Sequence, residues 1–456
     1  MNSTDVLVIG GGIAALCSAI SASEHGAKVT LVDSAPKFQR GGNARHSRNL
    51  RIAHDQPSPL FPGQYGVDEY MADLNAINHG AGDPELCQIL AKQSAELPDW
   101  FMRQGLKFET IEQANLPYSR KTAFFLGGGR HAMNALFTRA ETLGVEILQE
   151  TTVTHVPLHV RENFEIVLQQ PQDQCTLRAA SVIICSGGYQ ANLDKLREDL
   201  GPVADHLRVR GSPWVTGALL SDLLAQGAKP VGRRDQCHAV AVHADAPLTD
   251  GGIVTRADGL HWGIVINKRG ERFFDEAKMT SPHRYSYWGQ TLLQNADGPS
   301  YLLLDADGET QLPDHIYEPV RAHSLTELAS AIDVDPQQLQ KTVSQYHDHI
   351  VSETSSANCH CTATPRKSRF AMALKKPPFS AYALCPGITF TGFGIQVDGK
   401  ARVCITEGGP CERVFAAGMI MAPAILGGGY TAGAALAVGA VFGRIAGQQA
   451  AVAMRH

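Results

Sequence analysis

Ten cysteines occur in this 456-residue chain, yet no two stand in a Cys-x-x-Cys pair. Cys359-His360-Cys361 is the only tight cluster. With no second group of ligands beside it, it reads as loop cysteines, and no metal site is expected. Scattered, unpaired thiols predict a reduced, cytoplasmic protein. Excess charge of one sign is also missing: 40 Lys and Arg against 45 Asp and Glu leave a formal net charge of −5. That argues against a protein that tracks nucleic-acid phosphates. The first residues are polar and lead straight into an apolar strand pattern, so no signal peptide is expected. The nearest approach to a membrane span, Val414 to Ala440, is so rich in glycine and alanine that it reads as a strand, a loop and a buried helix.

What remains is the composition of a globular protein, 44% hydrophobic and 19% charged, long enough for two or three domains of about 150 residues. Glycine is abundant, with 44 residues gathered in clusters. Asp5 to Ile9 reads as a buried strand, Gly10-Gly11-Gly12 as a turn, the residues up to His25 as a helix stopped by Gly26, and Lys28 to Asp33 as a second strand. Together they make a βαβ unit at the start of the chain. A polar, arginine-rich loop covers Phe38 to Arg51, and helical patterns fill Val67 to Gln104 and Arg130 to Leu143. Strands are expected at Val145 to Leu148, Thr152 to Val156, Phe164 to Leu168, Ser181 to Cys185 and Arg413 to Ala416. A helix interrupted near Asp333 to Pro336 spans Leu325 to Ile350, and a final helix covers Ala432 to Ala450.

The opening motif is Gly10-x-Gly12-x-x-Ala15. A turn of this kind between strand and helix brings backbone N–H groups and the positive end of the helix dipole against a pyrophosphate. Asp33 ends the second strand, where a carboxylate meets ribose hydroxyls. Ile13, Ala14 and Ser34 flank these positions. Ser186-Gly187-Gly188 after a strand, and Val414-Phe-Ala-Ala-Gly418, resemble the later strand ends of flavoproteins. The last helix, opening at Gly433 and Ala434, aims its dipole at a flavin. The cofactor expected is therefore FAD.

Along nearly its whole length the chain resembles the fumarate reductase/succinate dehydrogenase flavoprotein family, and within it the branch that oxidises tricarballylate to cis-aconitate. The segments that carry the resemblance are Gly41-Gly-Asn-Ala-Arg-His-Ser-Arg-Asn-Leu-Arg51, Cys237-His-Ala-Val-Ala-Val-His243, Asp250-Gly-Gly-Ile-Val-Thr-Arg256, Glu271-Arg-Phe-Phe-Asp-Glu276, Arg284-Tyr-Ser-Tyr-Trp-Gly289, Pro386-Gly-Ile-Thr-Phe-Thr391 and Val441-Phe-Gly-Arg-Ile-Ala-Gly447. The resemblance implies an α/β fold: a discontinuous Rossmann-like FAD-binding domain over residues 1–210 and 376–456, with an inserted α+β capping domain over 211–375. It adds Gly41, Gly42, Asn43, Val153 and Met419 to the FAD contacts.

It also implies a small polycarboxylate substrate, with hydride passing to flavin N5 and a side chain taking the proton. Arg284 matches the family's proton-transfer arginine, and Arg256 and His238 stand beside it as candidate catalytic groups. Arg45, His46, Arg48, Arg51, Thr389, Thr391 and Tyr285 are the candidate substrate contacts. Read from residues alone, the arginine loop is equally a solvated basic surface. Four departures stand out. The family's relay glutamate aligns with Arg256 and its partner arginine with Gly259. The substrate histidine aligns with Phe390, and the late substrate arginine with Gly429 or Tyr430. The histidine that carries covalent flavin in succinate dehydrogenases aligns with Asn43, so non-covalent FAD is expected. Met419 replaces a glutamate common in the family. Electrons would pass to a membrane-bound iron–sulfur or haem protein, placing the chain in the cytoplasm at the membrane surface. The competing readings are a desaturase or ene-reductase acting on another acid, a flavoprotein of corrin-ring oxidation, and a non-catalytic flavin-binding subunit.

Overall fold

The computed structural model describes residues 2–113, 120–279, 284–295 and 297–454. Its contacts divide the chain into two compact units. The first comprises Met1–Lys195, Gly211–Cys237 and Phe390–His456, and the second Leu196–Arg210 and His238–Thr389.

A seven-stranded sheet organises the first unit. Strand order is Arg402–Cys404, Pro410–Ala416, Gln174–Ile184, Asn2–Ile9, Val29–Val32 and Glu146–Leu148, with Phe164–Gln169 paired antiparallel to Gln174–Ile184. The four strands from Pro410–Ala416 to Val29–Val32 are mutually parallel, as is Glu146–Leu148. The continuous burial of Val6–Ile9, Val29–Val32, Ser181–Ile184 and Val414–Ala416 matches the apolar runs of the sequence. The helix Ile13–Glu24 packs along Ala434–Ala453. This close approach depends on a glycine stripe. A Cβ on Gly439 would lie 2.7 Å from Ile13 Cγ2, and one on Gly443 2.5 Å from the Ala14 carbonyl oxygen. Ala434–Ala453 is long and apolar enough to cross a bilayer by length and composition, but 72% of it is buried inside the protein, as in a core helix. The expected strand at Thr152 to Val156 is absent. Thr152 makes a single isolated bridge to Gln169, and Val153 and Val156 are buried from an irregular segment. Residues 211–237 are tied to the first unit through the helix Ala218–Ala225, where Asp222 accepts from Val156 N–H at 3.0 Å and Gln226 from Leu158 N–H at 2.9 Å.

The second unit is built on a six-stranded mixed sheet. Ile264–Ile266, Ser300–Leu304, Phe379–Ile395 and Val320–Ala322 lie in that order, and Arg208–Val209 and Pro230–His243 also pair with Phe379–Ile395. The helices Leu325–Ala331 and Pro336–Asp348 cover it with Leu328, Leu339, Val343 and Tyr346. The break between them falls where expected, with Asp333 at φ 56° and Asp335 capping the second helix through Gln338 N–H at 2.9 Å. The helix Arg284–Gln294 buries Trp288, whose indole N–H donates to the Glu276 carbonyl at 2.9 Å.

Candidate functional site

Strand register sets up the first half of the site. Ile9 stands opposite both Val32 and Ile184, and Ile184 opposite Ala416. The parallel strands therefore finish together, and Gly10, Asp33, Cys185 and Ala417 follow at one edge of the sheet. At φ 126°, Gly10 takes a conformation open to glycine, and a Cβ there would sit 2.5 Å from the Cys185 carbonyl oxygen. A Cβ on Gly11 would collide with Asp33 Oδ2, so the acid lies directly beneath the turn. Around Gly12 there is room: the nearest atom to a Cβ there is the Gly41 carbonyl oxygen at 3.9 Å. Gly12 caps Ile13–Glu24 with no side-chain partner for the first N–H groups, which leaves an anion cradle.

Some of the expected FAD contacts lie beside this cradle, and others stand elsewhere in the first unit. Gly42 approaches Gly12, with a Cβ position 3.4 Å from Gly12 Cα. Gly418 packs on Ala14, 2.8 Å from its Cβ by the same measure, with Met419 in the turn that follows. Ile13 and Ala15 are buried beneath. Asn43 turns aside and accepts from the Ser212 N–H at 2.8 Å. Gly187 and Gly188 pack against Val215 and the Thr391 hydroxyl, and Tyr189 N–H donates to that hydroxyl at 3.4 Å. Thr391 is thus placed at the Ser186 turn. Gly433, at φ 82°, caps the last helix beside Arg51, and Ala434 begins it. Ser34 follows Asp33, and Val153 is buried at 4% exposure.

Two buried polar atoms mark where a ligand belongs. Asp33 Oδ1 accepts from Ala35 N–H at 3.3 Å, but Oδ2 is buried with no partner among the described residues, and Ser186 Oγ is the same. Burial pushes the Asp33 carboxyl up to about 6, against the pull of the Ala35 N–H and Arg40. An orphaned carboxylate oxygen of this kind calls for hydroxyl donors. The residues fit FAD: a glycine cradle for pyrophosphate, an acid for ribose, and two helix N-termini.

The arginine loop does not act as a block. Gly42–His46 forms a short 3-10 turn, Arg45 donates to the Phe38 carbonyl at 3.3 Å, and the Arg48 guanidinium lies 5.3 Å from the centroid of the Phe124 ring. Arg45 and Arg48 are half-buried, as is His46. Arg51 departs from its expected place among the substrate contacts. Only 4% exposed, it donates to Tyr65 Oη at 2.7 Å, Asp73 Oδ2 at 2.6 Å, Thr431 Oγ1 at 2.5 Å and the Ala432 carbonyl at 3.1 Å. Those bonds tether the strand Asn49–Arg51 to the loop before the last helix. In the same unit, Phe390 and Tyr430 stand edge to face at 5.8 Å.

The second unit gathers its own group. His238 is buried, with Nδ1 3.1 Å from Ser286 Oγ, and burial assisted by the Arg210 charge lowers it to about 3. It is neutral throughout the physiological range. Arg210, which sequence reasoning passed over, donates to Thr389 Oγ1 at 3.0 Å. Arg284 Nη2 lies 3.2 Å from Asp258 Oδ1 and 3.0 Å from Tyr285 Oη, and the Tyr285 hydroxyl donates to Asp258 Oδ2 at 2.7 Å. Arg256 stacks over the Tyr285 ring at 3.8 Å, with Nη2 3.8 Å from Asp258 Oδ2. Asp258 was also missed: nothing in its Asp-Gly turn signals that three side chains converge on it. For Gly11 the signal was present, as the middle of three glycines.

A parallel sheet with a glycine cradle, a buried ribose acid and a mixed second unit carrying arginines defines a flavin-type dinucleotide-binding oxidoreductase. The comparisons agree: residues 5–436 match the FAD binding domain family. The chain belongs to that family and is an FAD-dependent oxidoreductase acting on CH–CH groups. It is 24% identical to the Shewanella frigidimarina fumarate reductase (cytochrome), over 99% of this chain and 77% of that protein. It is 23% identical to a vinyl phenol reductase of Lactiplantibacillus plantarum, over 91% of this chain and 90% of that protein. Its fold matches the open conformation of a flavocytochrome c3 fumarate reductase with a TM-score of 0.79 at 21% identity, covering 100% of this chain and 79% of that one.

Proposed function

We propose that this oxidoreductase acts on a small polycarboxylate and converts tricarballylate to cis-aconitate. The observation that carries the reading is the charge balance of the second unit. Arg256 and Arg284 gather about Tyr285 with Asp258 between them, and Arg210 reaches Thr389, the first residue of the Thr-Phe-Thr segment. Guanidinium groups in excess of carboxylates favour a substrate that brings several negative charges. The fumarate reductase relatives act on a dicarboxylate by name; the third carboxylate accounts for the changed set of cations. Arg45 and Arg48 supply further positive charge in the first unit, with His46 beside Arg45 in sequence.

Bound FAD supplies the hydride acceptor. The protein's own residues do the rest: the arginines hold carboxylates, Thr389 and Thr391 offer hydroxyls, and the Arg284–Tyr285–Asp258 group handles the proton. Because Asn43 is an amide engaged with Ser212, FAD is held without a covalent bond at this position. Electrons leave for a membrane-bound iron–sulfur or haem protein, with the chain working from the cytoplasmic side.

Anaerobic absorbance of the holoprotein tests the reading. Tricarballylate bleaches the flavin band, and succinate does not. A band unchanged by tricarballylate with FAD still bound would overturn the substrate assignment.

A further inference from the structure

Removing a proton from carbon requires a base, and the second unit offers three groups within hydrogen-bond reach of one another. Arg284 is the poorest of them. Its Nη2 is shared between the two oxygens of Asp258, at 3.2 and 3.4 Å, and the Tyr285 hydroxyl at 3.0 Å. A guanidinium carries only N–H donors and no acceptor for an incoming proton, so it serves here as a fixed cation. Tyr285 sits differently. Its hydroxyl donates to Asp258 Oδ2 at 2.7 Å, while the guanidinium carbons of Arg256 and Arg284 stand 3.8 and 4.9 Å from its ring centroid. The phenol therefore has an acceptor for its own proton on one side, the Arg284 guanidinium beside the oxygen that would receive another, and the Arg256 charge over its ring.

The geometry points to a two-step proton path in which Tyr285 Oη takes the substrate proton as its own proton passes to Asp258, with Arg256 and Arg284 as fixed charges. The inference rests on the dehydrogenase reading above and deepens it. As the substrate C–H bond breaks, an O–H bond forms at Tyr285 Oη. The original Tyr285 O–H bond breaks and its proton joins Asp258 Oδ2. The phenol is neutral before and after, the carboxylate becomes a carboxylic acid, and the hydride leaves with its electron pair to FAD. Run backwards, the same path protonates an alkene carbon. Burial and Asp258 hold the Tyr285 phenol above its ordinary value, against the pull of Arg256 and Arg284, so the resting phenol carries the proton that the path needs. The other groups in electrostatic reach of Asp258 are His261 and His315. Both are pressed below the ordinary histidine range by burial, His261 to about 4.

The test compares FAD-loaded wild type with Asp258→Asn, Asp258→Glu and Tyr285→Phe, following anaerobic flavin reduction by tricarballylate and by succinate from pH 5 to 9. The same proteins, with flavin pre-reduced, are mixed with the corresponding unsaturated acids. A positioned acid–base group contributes roughly 10²–10⁴-fold. The expected result is a loss of about 100-fold or more in the reduction rate of D258N and Y285F. Their saturation constant for the acid stays within about three-fold, and D258E regains part of the rate. A protein carrying both Asp258→Asn and Tyr285→Phe is no slower than either single variant, as for residues that act as a unit. A D258N rate close to wild type overturns the path, as does a loss confined to substrate binding. A wild type inert in both directions overturns instead the functional reading beneath it. FAD content and circular dichroism of each variant identify any that failed to fold.

Discussion

Gly11 and Asp33 occupy adjoining space: a Cβ on the glycine would collide with the carboxylate oxygen that has no hydrogen-bond partner among the described residues. Gly11→Ala therefore acts on FAD binding through the acid, without touching the pyrophosphate cradle at Gly12. The expected result is an FAD affinity at least ten-fold weaker, about 1.4 kcal/mol, with a smaller loss of thermal stability in the apoprotein. Fluorescence titration of apoprotein with FAD measures it. An affinity equal to wild type would show that Asp33 is not a ribose ligand.

Asp33 also makes FAD binding sensitive to acid. In the apoprotein its carboxyl is raised to about 6 by burial, so below that value the oxygen facing the ligand is protonated. Bonds from ribose hydroxyls favour the carboxylate, and affinity should fall by about ten-fold per pH unit below 6. The sign for folding is opposite. Because the folded pKa lies above the unfolded one, ionising Asp33 costs the apoprotein stability as pH rises from about 4 to 6, and Asp33→Asn removes that slope. Dissociation constants for FAD measured from pH 5 to 8 decide it, since D33N should be flat where wild type is not.

The FAD half of the site was legible because it is written in backbone. Strand, glycines, helix and acid fall within Asp5 to Asp33, and parallel pairing brings the later strand ends to the same edge with no help from particular side chains. The second unit was less so. Arg210 meets Thr389 across 179 residues of sequence, and Asp258 meets Arg284 across 26, contacts that no local pattern encodes. Arg51 shows the converse error. Its charge beside three other cations suggested a substrate contact, but Tyr65, Asp73 and Thr431 arrive from 14, 22 and 380 residues away to claim it. The segment at Thr152 to Val156 carried the β-branched content of a strand but follows an irregular path with Val153 and Val156 buried.

Arg51 and Arg48 should therefore separate in experiment. Arg51→Ala breaks a buried ion pair and leaves Tyr65 and Thr431 with lost partners. The loss should be about 3 kcal/mol or more of stability, tempered because Lys121 also reaches Asp73 Oδ2 at 2.8 Å. Arg48→Ala removes a half-buried cation that stacks on Phe124, and should change stability by about 1 kcal/mol or less while raising the tricarballylate concentration needed for half-maximal flavin bleaching. Chemical denaturation and substrate titration of the two variants make the comparison. Equal stability losses, with no change in substrate dependence for R48A, would return the loop to a purely structural role.

The glycine stripe of the last helix predicts an effect at a distance from any ligand. Gly443 faces the Ala14 carbonyl oxygen so closely that a Cβ would lie 2.5 Å from it and 3.1 Å from Cys17 Cβ. Gly443→Ala cannot be absorbed by a flexible side chain, because the obstacle is backbone, and the two helices must part. Overpacking of this kind costs about 1–3 kcal/mol. Ala14 is also the residue on which Gly418 packs, and the first helix carries the cradle N–H groups at its start. Separation should therefore weaken FAD binding together with stability, whereas Gly447→Ala, farther along against Ser18 and Ala22, should lower stability with a smaller effect on FAD. Thermal melts and FAD titrations of both variants measure the pair of effects, and equal FAD losses would show that the helix contact does not transmit to the cradle.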